Sequence, residues 1–510
     1  MDFESAGLTL GVLASADICL RTGHNLCQRY KEIRDADKEI DELNDRVEKV
    51  WLQIEYQLQT VKHSEGEVPQ DWRDQMADLL NKLQYILHTG GKHLDKLSQS
   101  RGKSKVIKFA LFSKNSLEKD VSALEKWRTT FTSIFFMLSL PVNPRLDRIL
   151  SMQVQTNPGP AGSDLTRVKA IRDVLAEEPT KQFEPVWLPA VPMYFSNPIG
   201  FSGAHVVFDN TTNTKYIMET ITFDPGRSNL EQLDRDVTKL ARVLRESKGV
   251  PGVLTCKGVV RRGGHGVPVD KFELILEMPP ALGDNPDCLR TVLLKSQHEP
   301  HPLDERFLLA NQVAKAVMFV HSLNFVHKNM RPDTILCFPN PGKTLGIPFL
   351  VGYQMFRSAD GLTYMAGDDV WSKDLYRHPS RQGILPGCTY IMHHDIYSLG
   401  VVLLEIGMWA SFVDGHGEPT AALSSIVPIL HEKDKRKKAM QIKKKLVSMA
   451  WNELPQRMGT RYAEIVVSCL SCLDTDSEFG GESEFVDDDG ILVGLRYNEQ
   501  ILSQLDAIEV

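Results

Sequence analysis

The stretch His327-Lys-Asn-Met-Arg-Pro-Asp-Thr-Ile-Leu336 decides how this chain is read. A long apolar-periodic segment, Glu305–Leu323, precedes it and predicts a helix running into a loop. The side chains of that loop are chemically quiet. Asn329 is an amide, without basicity near neutral pH, and the lone hydroxyl of Thr334 is a poor anchor for a hard cation.

Working outward, 510 residues allow two or three domains, each able to bury its own core. A net charge of −7 argues against general nucleic-acid binding, which needs a broad basic face. The eight cysteines lie mostly inside apolar runs, as reduced and buried thiols do. Cys469 and Cys472 form one CxxC with no second pair or nearby His, so core packing is expected and no metal. The apolar start follows Asp2 and Glu4 and carries Asp17, unlike a secretory signal, and no apolar run has membrane-spanning length. A cytoplasmic protein is expected.

Residues 1–150 carry helical apolar spacing around Gly7–Arg34, Ala36–Lys62, Asp71–Gln99 and Ser116–Leu140, which predicts an all-α helical bundle. Ile40, Leu43, Val47, Val50, Ile54 and Leu58 form one stripe; Met76, Leu79, Leu80, Leu83, Ile86 and Leu87 form another. Residues 151–184 are polar, with a short helix expected at Leu165–Glu178, and read as a brace or linker. From Pro185 the pattern changes to strands at Ala204–Phe208, Tyr216–Phe223, Gly252–Val260 and Phe272–Glu277, with one helix at Asn229–Glu246. Helices return at Glu305–Leu323, His394–Trp409 and Arg461–Leu473. Residues 185–510 are therefore expected to be an α+β domain of two lobes, one sheet-rich and one helical.

The order of these parts resembles the protein kinases. Phe272-Glu-Leu-Ile-Leu-Glu277 is similar to the hinge strand, and Arg306–Phe325 with His327 to the helix entering the catalytic loop. His394-Asp-Ile-Tyr-Ser-Leu-Gly400 is similar to the helix whose Asp, here Asp395, braces that loop. The resemblance also assigns chemical positions, and they are altered together. Asn329 stands at the proton-accepting Asp, Thr334 and Gly352 at the two metal ligands, and Glu219 at the phosphate lysine. Asp236 falls near the Glu that would pair with that lysine. Gly200 and Gly203 are the remnant of a glycine-rich loop, with Pro198 at its first Gly, and a plain hairpin explains them as well. Ser380 of His378-Pro-Ser380 replaces the Glu of Ala-Pro-Glu. The resemblance thus implies a pseudokinase with no catalytic residues, no cofactor and doubtful ATP binding. A residually active kinase would have to use displaced groups such as Lys215, Lys328 or Asp333.

At the front, Ala6-Gly-Leu-Thr-Leu-Gly-Val-Leu-Ala-Ser-Ala-Asp-Ile-Cys-Leu20 is apolar nearly all round. With Tyr30-Lys-Glu-Ile-Arg-Asp35 and Val106-Ile-Lys-Phe-Ala-Leu-Phe112, it resembles the HeLo domain of filamentous fungi. That family implies a bundle acting in heterokaryon incompatibility and programmed cell death through its N-terminal segment. A HeLo-like bundle followed by a pseudokinase is similar in order to the mixed-lineage kinase domain-like necroptosis effectors. The resemblance implies self-association, contact with anionic lipids of the plasma membrane on activation, and an upstream kinase or receptor-type activator. Gly7, Leu8, Leu10, Val12, Leu13, Ile18 and Leu20 are the expected membrane-inserting residues. A scaffold without membrane activity is the rival reading. Two basic stretches, Ser98–Lys108 and His431–Leu446, fit either a solvated surface or attraction to anionic lipid, and Asp474–Asp489 is acidic.

Overall fold

Apolar residues spaced for one helical face become buried seams in the first unit, Met1–Arg172, and alternating residues become a twisted sheet in the second, Asp173–Val510. The computed structural model describes residues 11–32, 38–63, 70–98, 114–139, 144–156, 163–176, 183–189, 194–223, 230–264, 267–295, 301–353, 357–358, 369–383, 388–474, 477 and 491–508.

Among its described residues the first unit has four long helices, Val12–Glu32, Lys38–His63, Gln70–Ser98 and Lys114–Ser139, close to the expected bounds. Leu43, Val47, Val50, Ile54 and Leu58 are buried from one helix, and Met76, Leu79, Leu80, Leu83 and Leu87 from another. Polar ties fix their register: Trp127 Nε1 donates to the Leu79 carbonyl at 2.8 Å and Gln57 Nε2 to Thr132 Oγ1 at 3.0 Å. Arg46 forks onto both oxygens of Glu125, at 3.0 and 2.8 Å. The stretch read as a brace carries two more helices, Pro144–Thr156 and Ser163–Leu175. Leu165, Val168 and Ile171 are buried, and Arg172 donates to Asp147 at 2.7 Å, so this segment packs as part of the unit's core. No helix among the described residues is long and apolar enough to cross a membrane.

In the second unit six strands run in the order Trp187–Leu188, Cys256–Gly264, Val267–Glu277, Thr214–Thr222, Ala204–Asp209 and Tyr194–Pro198. The first pair is parallel and the rest antiparallel. The strand expected from Phe272 starts at Val267, paired across a hairpin with Cys256–Gly264. Leu230–Glu246 packs on the sheet through Val237, Leu240, Ala241, Val243 and Leu244. Helices Leu303–Ser322, Met392–Met408, Lys435–Met458 and Thr460–Leu470 build the rest. Met392–Met408 is buried along nearly its whole length. A Cβ at Gly400 would stand 2.7 Å from that of Cys469, so glycine permits the 460–470 helix its close approach. The basic stretch His431–Leu446 falls largely in the helix Lys435–Met458, and a C-terminal helix begins at Ile491 and passes through a π turn at Asn498–Leu502.

In the bundle, Gly23 is buried against Trp51, and a Cβ added to Gly23 would fall inside the indole ring. Gly23→Val is expected to cost about 3 kcal/mol, as overpacking of a rigid aromatic does. Chemical unfolding of the 1–172 unit, followed by circular dichroism, checks this.

Candidate functional site

Three segments converge in the second unit: the His327–Thr334 loop, the strand Thr214–Thr222, and Val351–Tyr353 after the strand Ile347–Leu350. Asp395 fixes the first. Its fully buried carboxylate accepts from the His327 and Lys328 amides at 2.7 and 2.9 Å, from Tyr390 OH at 2.7 Å and from His321 Nε2 at 3.2 Å. These donors hold Asp395 below the usual carboxylate range against the burial that would raise it. His327 donates Nε2–H to the Val351 carbonyl at 3.0 Å, and burial lowers its pKa to about 4, so it is a neutral brace. Asp395 thus ties the helix Met392–Met408 to the loop that begins at His327.

Glu219 comes next. It shares a face of its strand with the buried Ile217 and Ile221 and is itself only 2% exposed. Its carboxylate accepts from the backbone amides of Gly352 and of Tyr353, the latter at 3.1 Å. Burial raises its pKa to about 7, and the two amides oppose that rise. Glu219 and Asp236 are engaged separately, Glu219 by the Gly352 and Tyr353 amides. Asp236 accepts from Gln232 of its own helix at 2.9 Å.

Thr334, Asn329 and Gly352 interlock. Thr334 Oγ1 donates within its own loop, with the Asn329 and Arg331 carbonyls at 2.8 and 2.9 Å, and accepts from the Arg331 amide at 3.2 Å. Asn329 Nδ2 reaches the Gly352 carbonyl at 3.4 Å, and its Oδ1 accepts from Arg331 Nε at 3.1 Å. Gly352 has φ +94°, a conformation that favours glycine, and a Cβ there would meet Thr334 Cβ at 2.8 Å and Asn329 Nδ2 at 3.2 Å. The space into which an aspartate at residue 352 would project is filled by the Thr334 methyl.

Gly200 and Gly203 lie in the hairpin between strands Tyr194–Pro198 and Ala204–Asp209. The left-handed residue of this turn is Phe201, at φ 62°, and neither glycine has positive φ. The Gly200 carbonyl accepts from Cys288 Sγ at 3.0 Å and Thr291 Oγ1 at 3.3 Å. The Phe201 ring lies within 3.4 Å of where a Cβ on Gly415 would stand. The hairpin tip therefore rests on the segment that follows the sheet.

The displaced groups considered for catalysis are engaged as well. Asp333 is buried and accepts both Nε and Nη2 of Arg290, the latter at 3.1 Å. Arg290 also donates to the Val413 carbonyl at 2.8 Å and to Tyr376 OH at 3.3 Å, and Tyr376 donates to the buried Glu405 at 3.0 Å. Lys215 is exposed and pairs with Asp284 at 2.6 Å, and Lys328 stands 5.8 Å from the Tyr390 ring centre. Ser380, in place of the expected Glu, contacts His378 Nδ1 at 2.8 Å and His394 Nε2 at 3.2 Å. Arg290 was not singled out in the sequence; a lone Arg in the first turn of the short helix Leu289–Lys295 gives no sign of the pocket it fills. Gly7, Leu8 and Leu10 lie outside the described residues, while Val12 is buried and Leu13, Ile18 and Leu20 are half-buried in the helix Val12–Glu32. Among the described residues no group of three His, Cys, Asp or Glu is placed to hold a metal ion.

No protein-family model matches the chain. It is similar to the dual specificity protein kinase lkh1 of Schizosaccharomyces pombe, 26% identical over 121 residues, or 22% of this chain and 18% of that protein. It is also similar to the protein kinase MCK1 of Saccharomyces cerevisiae, 26% identical over 136 residues, or 26% of this chain and 34% of that protein. The chain thus spans about a fifth and about a third of the lengths of these two relatives. With the order of strands and helices, these partial likenesses support a protein-kinase-like domain following the helical N-terminal region.

Between the unfolded carboxylate range and about 7, the folded state holds a proton on Glu219 that the unfolded state has released. Stability from this group is therefore fully present below about pH 4.5 and falls as pH rises towards 7. Urea unfolding of the full chain at pH 5 and pH 8 is expected to show a smaller pH-dependent loss in Glu219→Gln than in the unsubstituted protein. The buried Glu405, also raised to about 7, keeps part of the slope.

Proposed function

We propose that this protein is a catalytically inactive, kinase-like signalling protein whose N-terminal bundle is the effector. One observation carries the first half: the carboxylate at the phosphate-lysine position is consumed by the Gly352 and Tyr353 amides. The residues present do not fit Mg-ATP. Glu219 offers an acid where an ammonium would meet phosphates, Thr334 spends its hydroxyl on its own loop, and Gly352 has no side chain to give a metal. Asn329 cannot take a proton, and the nearby acid Asp333 is neutralised by Arg290.

The output we assign to the bundle is regulated cell death, by self-association and permeabilisation of the plasma membrane. The kinase-like domain would hold the protein inactive in the cytoplasm until an upstream kinase or receptor-type activator acts. The nearly all-apolar segment before and into the helix Val12–Glu32 supports this reading, as does the four-helix arrangement that follows it. Val12 is buried, so insertion requires the bundle to open, a two-state change that a signal can bias.

Dye leakage from anionic liposomes tests it. The 1–172 unit is expected to release dye, the full chain to stay silent, and Leu10→Glu with Leu13→Glu to abolish release. A well-folded unit that releases nothing would instead support a signalling scaffold.

A further inference from the structure

The helix Lys435–Met458 has a use for which neither the cleft nor the bundle accounts. Asp434 caps it, accepting from the Arg436 and Lys437 amides at 2.9 and 3.1 Å. Its inner side is set by Ala439, Ile442, Leu446, Met449, Ala450 and Leu454, and Lys443 is drawn inward, buried beside Asp474. The opposite side presents Lys437, Met440, Gln441, Lys444, Ser448 and Trp451 at helical spacing, all exposed. Met440 is 44% and Trp451 45% exposed, so two large apolar side chains stand in solvent on the face that carries Lys437 and Lys444. Lys433, Arg436, Lys438 and Lys445 extend the positive charge to its margins. Lys435 pairs with Asp369 and Lys443 with Asp474; among the described residues Lys444 forms no ion pair, and Lys437 forms no close one, although its charge helps hold the capping Asp434 carboxylate below the usual range.

A protein of net charge −7 has thus gathered cations in the first three turns of one helix, with Met440 among them and Trp451 on the same face two turns beyond Lys444. Lysines alone would suit any acidic surface. Lysines that share a helical face with an exposed methionine and indole suit a membrane interface, where the ring sits at headgroup level and long basic side chains reach anionic phosphates.

We propose that this face is a membrane-docking surface of the kinase-like domain, seating on anionic phospholipid with Lys437 and Lys444 at the headgroups and Met440 and Trp451 entering the interface. From Lys437 to Trp451 it spans about 21 Å of helix. It acts without insertion of the bundle and goes beyond the effector role assigned there. Its attraction reaches only a Debye length, about 8 Å at physiological salt, so salt weakens it.

Sedimentation of the full chain with phosphatidylserine–phosphatidylcholine vesicles, beside vesicles of phosphatidylcholine alone, tests it. Binding is expected only to the anionic vesicles and to fall with salt. Lys437→Gln with Lys444→Gln should weaken it about 25-fold, on the ordinary contribution of two juxtamembrane cations. Both positions are exposed, so unfolding midpoints should not move. Trp451→Phe should remove a blue shift in fluorescence seen on vesicle addition. Leu13→Glu, in the bundle, should leave vesicle binding in place even where it abolishes leakage. Absence of binding to anionic vesicles, or binding that survives the double lysine variant or is lost only with Leu13→Glu, overturns the proposal. The last two results would leave this face to an acidic protein partner.

Discussion

A buried carboxylate bonded to two backbone amides organises the centre of the second unit. Glu219 belongs to the sheet, while Gly352 and Tyr353 belong to the segment leaving the helical lobe, so their hydrogen bonds tie one to the other. Leaving a buried carboxylate or two buried amides without partners costs several kcal/mol, roughly 1–3 for each neutral group and more for a charge. The contact is therefore held strongly once formed. It also sets what the neighbours can be: Gly352 is held at positive φ, and Thr334 fills the volume beside it. Glu219, Asn329, Thr334 and Gly352 are one packed arrangement, so replacing any one alone would disturb the others.

A second carboxylate has the complementary role. Asp395, on a helix buried along its length, receives four donors and fixes the loop that begins at His327. Asp333 pairs with Arg290 in the same way, and Glu405 accepts from the Phe412 amide at 2.6 Å. Carboxylates in this domain satisfy buried donors, and the framework is held by those bonds together with ordinary core packing. That division explains how the loop keeps its outline while Asn329 and Thr334 occupy positions where proton transfer and metal binding would need an acid.

Much of this was legible in the residues. Period-3.6 stripes located the four bundle helices to within a few residues, because one apolar face must be buried wherever the helix packs. His327 and Asp395 were recognisable from the order of landmarks around them. The strand expected at Gly252–Val260 begins instead at Cys256, after a turn in which Gly252 takes φ +74°, because backbone reversals leave only weak marks in composition. The identity of Glu219 was readable, but its partners were not: they are main-chain amides, which every sequence has everywhere. The interlocking of Thr334 with Gly352 depends on a left-handed backbone and a methyl group, and Arg290 on a pocket assembled from residues more than 40 positions away. Such features exist only after folding.

The proposed function makes the kinase-like domain a regulator and the helical bundle its output. It rests on the reading that the site cannot support nucleotide chemistry. Isothermal titration of the full chain with ATP, with and without Mg²⁺, alongside a phosphoryl-transfer assay on a generic protein substrate, tests it most directly. The account predicts neither metal-dependent binding heat nor transfer. Metal-dependent binding with transfer that disappears in Asp333→Asn, while the fold is retained, would contradict it.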